Sequence, residues 1–263
     1  SIGHNASSGC IRMINQDIID LYSRVPDGAK VVVLTAVGQV PSQSLNALRW
    51  GITLTLLLPL GWRALATREA RAAVWARRGP LLRLGLFGIT AYNALQYLAL
   101  TTTTALNATL IAASGPVWML LIGRVLHAER PQRRQWLGCV LSLLGVLVVV
   151  SRGDVHALAR VQLVRGDALM LLAVICWAFY SWTLARPVAS MRAPQRPGWD
   201  WAEFLVLQVI FGGFFAALLA GLEQVVAPQP ILWSPGVLAA LLYVAIGPSV
   251  IAYWIWGIGV AQV

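Results

Sequence analysis

Asn93, Gln96 and Tyr97 stand at i, i+3 and i+4 inside a charge-free apolar run, so on a helix they share one face. Asn107, Ser114 and Trp118 follow a seven-then-four spacing, again one face. Trp177, Tyr180 and Ser181 repeat the arrangement, as do Ser249, Tyr253 and Trp256. Amides, hydroxyls and indoles on otherwise apolar faces need hydrogen-bond partners once water is excluded. Two arrangements meet that need. Helices bond to one another through these groups, or the faces line a cavity in which a partly polar, partly aromatic solute supplies the partners. On the second reading the substrate-path candidates are Asn93, Gln96, Tyr97, Asn107, Ser114, Trp118, Trp177, Tyr180, Tyr253 and Trp256.

Other chemistry finds little support. Cys10, Cys139 and Cys176 form no CxxC pair, and His4, His127 and His156 are far apart, so neither a metal nor a cofactor is expected. There is no nucleophile elbow, P-loop or dinucleotide fingerprint. Without clustered His, Asp or Cys at one depth, an enzyme is not expected. All ten carboxylates fall in tails, loops or helix ends, from Asp17 to Glu223. A carboxylate inside a span is the usual proton relay, so these spans argue against carboxylate-coupled proton antiport and leave facilitated diffusion or exchange open.

The elements that position these faces follow from composition. Of 263 residues, 58% are apolar and only 11% charged, with a mean hydropathy of +0.71, whereas about a quarter of an ordinary soluble domain is charged. Charge-free runs at 84–123, 168–185, 204–222 and 224–263 match one or two bilayer crossings of about 20 residues each. The expected fold class is an all-α integral membrane protein. About seven transmembrane helices are expected, at 45–65, 82–100, 105–126, 136–150, 167–185, 201–222 and 237–260. Small residues Gly138, Ser142 and Gly145 recur at spacings that favour close helix approach.

The net charge of +10 lies in short loops between apolar runs, which fits loop topology better than nucleic-acid binding. Loops 63–83, 124–134 and 186–199 hold thirteen arginines. The opposite side has Arg152, Arg160 and Arg165, with Arg49 at a helix end. The first set is therefore expected in the cytoplasm. Trp62, Trp136, Trp199, Trp201 and Trp233 near helix ends suit interfacial anchoring. Residues 1–40 do not fit the scheme: an acidic amphipathic stretch precedes a ten-residue apolar run, too short to cross and unlike a signal peptide.

Three stretches resemble the EamA family of the drug/metabolite transporter superfamily. Ser44-Leu-Asn-Ala-Leu-Arg-Trp-Gly51, running into Leu56-Leu-Leu-Pro59, resembles the family's second helix. Gly88-Ile-Thr-Ala-Tyr92, Tyr97-Leu-Ala-Leu100, threonines 101–104, Ala105-Leu-Asn-Ala108, Ser114-Gly-Pro116, Glu129-Arg130 and Gln135-Trp-Leu-Gly138 resemble helices three to five. Gly166-Asp-Ala-Leu, Cys176-Trp-Ala-Phe-Tyr180 and residues 247–257 resemble helices six to eight. The resemblance implies a ten-helix fold of two inverted five-helix repeats, and alternating access around a central site. It gives an atypical segment at 1–40 with its first helix missing or degenerate, a first repeat at 41–152, and a truncated second repeat at 153–263. A faint internal match, offset by 159 residues, sets Gly88 on Gly247 and Tyr97 on Trp256. The expected function is export of small metabolites such as amino acids across a bacterial inner membrane, with lipid and a small solute as partners and no nucleic acid. The competing expectation is a truncated, non-transporting fragment or interaction subunit.

Overall fold

The computed structural model describes residues 39–151 and 164–261, and every regular element among them is helical. The expectations for the acidic stretch and for Arg152 and Arg160 lie outside the described residues. Helix α1 spans Ser42–Gly61. Two short helices, α2 (Arg63–Ala66) and α3 (Arg68–Ala76), fill the first arginine-rich connection. Thr67 caps α3 by accepting from the Ala70 amide at 3.1 Å. The backbone N–H of Glu69 and the Thr67 hydroxyl hold the Glu69 carboxyl below the usual range.

Helix α4 (Arg78–Leu84) passes into a π-helical segment, Gly85–Ala91, and on into α5 (Tyr92–Leu100) without a break. Then come α6 (Ala105–Ala113), α7 (Gly115–Leu126), α8 (Arg133–Ser151) and α9 (Arg165–Ala185). Helix α10 is Trp201–Val226. The last rod is α11 (Pro235–Val244), a second π segment at Ala245–Ile251, and α12 (Ala252–Ala261).

Four helices among the described residues are long and apolar enough to cross a membrane: Asn107–Leu126, Arg165–Ala185, Trp201–Val226 and Pro235–Gly259. The other three expected crossings also fall on helix, but two are diluted by polar side chains. Helix α1 begins Ser-Gln-Ser and carries Asn46 and Arg49, and α5 carries Asn93, Gln96 and Tyr97. Helix α8 opens on Arg133 and Arg134. Large apolar side chains cover the outside of the bundle, among them Leu56, Leu60, Leu141, Val148, Phe214 and Leu222. In water such a surface would drive aggregation; in a bilayer it faces acyl chains.

Helix α1 lies along α10, and α9 packs on α5 and α7. At one crossing Gly85 meets Gly212: a Cβ on Gly85 would sit 2.5 Å from the Gly212 nitrogen, and one on Gly212 would sit 2.4 Å from Ile89 Cβ. Contact this close requires glycine on both helices. The glycines expected to do this, Gly138 and Gly145, have nothing within 4 Å, because α8 is peripheral and turns them outward.

The two ends of the bundle are fastened differently. At the arginine-rich end, Arg77 reaches Ser190 O at 2.9 Å, and Arg186 pairs with Glu129. His127 stacks on Trp182 at 4.6 Å. At the other end, carboxylates serve helix starts. Asp167 accepts from Thr103, from the Asn107 amide and, at 2.8 Å, from the Val164 N–H. Glu223 accepts from the amides of Gln43 (3.0 Å) and Ser44 (2.9 Å) and from the hydroxyls of Ser42 and Ser44. Pro41, at the N-cap of α1, has no side-chain acceptor to offer, so the distant carboxylate satisfies donors that the helix itself leaves open.

Candidate functional site

The site is built where the two π-helical segments face α1 and α9. A π-helical turn leaves backbone carbonyls off the regular ladder, and side chains here take them up. Asn93 Nδ2 donates to Gly88 O and Ile89 O, both at 3.0 Å, and Ser249 Oγ donates to Val244 O at 2.7 Å. Tyr253 Oη donates to Gly88 O. These bonds fix what remains. With its nitrogen on carbonyls, Asn93 must turn Oδ1 the other way; with its proton spent, Ser249 presents a lone pair.

Both acceptors meet Arg49. Its Nε donates to Ser249 Oγ at 2.6 Å, and its Nη1 to Asn93 Oδ1 at 2.7 Å and Tyr97 Oη at 3.1 Å. Arg49 is 5% exposed. The two π segments and α5 thus hold one guanidinium in place from α1.

Aromatic rings form the other wall. Trp177 lies 4.8 Å from Tyr92, 5.1 Å from Tyr180, 5.3 Å from Tyr253 and 5.2 Å from Trp256, centroid to centroid. Tyr180 is 5.7 Å from Tyr253 and donates to Gln208 Oε1 at 3.0 Å. Gly88 makes room for the Tyr180 ring, which would stand 2.5 Å from any Cβ there.

Two cavities adjoin this cluster. One, of about 530 Å³, is bordered by Arg49, Gln96 and Tyr97 on one side and Trp177, Tyr253 and Trp256 on the other. The second, of about 460 Å³, lies toward the arginine-rich end, bordered by Arg83, Arg186 and Arg196 and floored by Tyr180 and Tyr253. Tyr253 borders both, so the aromatic cluster is the partition between them.

Of the ten residues singled out by sequence, Asn93, Gln96, Tyr97, Trp177, Tyr253 and Trp256 meet at the larger cavity, and Tyr180 borders the smaller. Asn107, Ser114 and Trp118 border neither. Asn107 is drawn to the Asp167 carboxylate, while Trp118 Nε1 donates to Ser114 Oγ at 3.2 Å along the shared face. Their polar groups are satisfied within the protein, which is the other outcome that the spacing allowed. Sequence reasoning missed Arg49, treated there as a helix-end loop charge. The available signal was an arginine several residues inside an apolar run, a position that charge occupies for a reason.

Residues 29–151 match the EamA-like transporter family. They are an EamA domain. A transporter of Archaeoglobus fulgidus, otherwise uncharacterized, is 31% identical over 66% of this chain and 55% of its own length. The uncharacterized transporter YyaM of Bacillus subtilis is 25% identical over 68% and 56%. The chain thus spans about half the length of these two curated relatives. The aromatic amino acid exporter YddG of Ancylobacter novellus is 26% identical over 87% of this chain and 73% of its own. One crystal structure superposes with a TM-score of 0.63 over 89% of this chain and 75% of its own, at 21% identity, a likeness of fold. Residues 1–33 also match part of the L,D-transpeptidase catalytic domain family; most of that match precedes the EamA domain, and all of it lies outside the described residues. These relatives are named as transporters, and the family match together with four helices long and apolar enough to cross a bilayer makes this a multi-pass membrane protein.

Proposed function

We propose that this EamA protein exports small metabolites of the amino-acid type across a bacterial inner membrane, passing them through the cavity between Arg49 and Trp177. The observation that carries this reading is the pair of cavities on opposite sides of one aromatic partition. Alternating access requires a solute site reachable from either side in turn. Here the rings of Tyr180 and Tyr253 are what a solute must pass. Both sit beside π-helical segments, Gly85–Ala91 and Ala245–Ile251, and a π turn is a common place for a helix to change shape at a functional site. The cavity walls suit a solute with an apolar, flat body and a polar head, and a relative named as an aromatic amino acid exporter agrees with that chemistry.

The test is efflux of radiolabelled aromatic amino acids from proteoliposomes containing the full chain. Trp177→Ala and Gln96→Ala each lower the rate, the first by on the order of tenfold, since it removes a stacking surface from the solute. Efflux in both variants equal to the parent, at equal reconstitution, would overturn the reading.

A further inference from the structure

The larger cavity brings several hydrogen-bond donors together around one positive charge, beside the Gln96 amide and the Tyr92 hydroxyl, which can donate or accept. Arg49 spends Nε and Nη1 on neutral oxygens, and its Nη2 makes no hydrogen bond to the described residues. Tyr97 Oη accepts from Arg49, which leaves its own proton to give. Trp256 Nε1 is buried without a partner, and Trp256 borders the same cavity. No carboxylate among the described residues forms an ion pair with Arg49; the ion pair found there joins Arg186 to Glu129. A guanidinium 5% exposed and ringed by neutral groups is a charge whose desolvation is offset only in part. Ser249 and Asn93 help by accepting, but each is held by a backbone carbonyl and neither carries charge. What completes this set is an anion, and guanidinium geometry favours a flat two-oxygen one.

We infer that Arg49 binds the carboxylate of an organic acid, with Tyr97 and Trp256 as further donors and the apolar body of that acid against Trp177 and Tyr92. This rests on the cavity being the solute site and assigns the chemical class of the solute: a carboxylate joined to an aromatic or other flat apolar group. The residue is specificity-determining, because it discriminates between acids and their neutral or cationic analogues of the same shape.

The test is equilibrium binding of radiolabelled phenylacetate and phenylacetamide to the full chain in nanodiscs of phosphatidylcholine, with phenethylamine as competitor. Phenylacetate binds at least about tenfold more tightly than phenylacetamide, the range expected for charge-assisted hydrogen bonds, and phenethylamine competes for neither. Arg49→Gln abolishes the preference by weakening phenylacetate alone, and Arg49→Lys keeps part of it. Equal binding of acid and amide, both lost in Trp177→Ala, overturns the carboxylate assignment and leaves the cavity as the solute site. Binding of neither compound overturns both. A preference for the acid that survives in Arg49→Gln overturns the role of Arg49. Should Arg49→Gln not fold, the comparison of acid with amide on the parent protein still decides. A last arm adds one part phosphatidylglycerol to three of phosphatidylcholine: loss of phenylacetate binding there, with phenylacetamide unaffected, would assign the guanidinium to a lipid phosphate and overturn the solute assignment.

Discussion

At the start of α1 the Glu223 carboxylate accepts from two backbone amides and two serine hydroxyls at 2.9–3.1 Å. Less than two turns further along the same helix, Arg49 donates to a serine, an asparagine and a tyrosine and borders a cavity. The first charge is closed. Its oxygens are spent on donors that a helix N-terminus leaves open, and the pair of helices it joins, α1 and α10, lie against each other. The second is open, with neutral partners on one side and space on the other. The difference separates a charge kept for structure from one kept for binding. A structural charge finds every partner within the fold; a binding charge is held in position by partners too weak to satisfy it.

Three substitutions test that division by stability alone, each read as reversible unfolding of the purified protein in one detergent. Glu223→Ala has the largest effect. It strands amide donors at the head of α1 and lowers stability by about 3 kcal/mol, as expected for losing several bonds to a charged acceptor. A loss under about 0.5 kcal/mol would mean that the clasp contributes nothing. Arg49→Met comes next and differs in sign of expectation. Replacing a buried cation that has no counter-charge with an apolar side chain of similar length relieves its desolvation but removes its hydrogen bonds to Ser249, Asn93 and Tyr97 and its contact with the Trp50 ring, so the opposing effects leave a change of no more than about 1 kcal/mol, in either direction. A loss as large as that of Glu223→Ala would make Arg49 a structural residue and erase the contrast. The smallest effect is Arg186→Gln at the arginine-rich end. Its pairing with Glu129 is 54% exposed on the arginine side, and exposed pairs contribute about 0–1 kcal/mol. A larger loss would show that this end too is closed by its charges.

The arginine-rich end adds a second contrast. Its loops are joined by side chains to backbone carbonyls, as from Arg77 to Ser190, and by one exposed ion pair. The opposite end is joined by two carboxylates that serve helix starts, with five or more bonds between them in the interior of the contact. Arg196 belongs to the arginine-rich end. It stacks over Phe204 at 4.5 Å and borders the smaller cavity, and burial lowers its pKa.

Local sequence was enough for the all-helical class and for a multi-pass membrane protein, and four of the seven expected crossings are long and apolar enough among the described residues. Runs free of charge, at bilayer length, leave little choice, since an unpaired charge or a bare backbone in hydrocarbon is costly. The faces of α5, α9 and α12 were legible for the same reason: helical period puts Asn93 with Tyr97, and Tyr253 with Trp256, whatever surrounds them. The family resemblance, carried by motifs such as Ser114-Gly-Pro116, agrees with the EamA match at residues 29–151. What periodicity cannot supply is which faces meet. Asn107 and Gln96 look alike in sequence, but only the fold brings Asp167 to one and leaves the other on a cavity. Gly138 and Gly85 look alike too, and only packing puts Gly212 opposite the second. Arg49 looked like a loop charge because its acceptors lie 44 and 200 residues away. A side chain's period is fixed by its own helix, whereas its partners are fixed by the contacts that the whole chain makes when it folds.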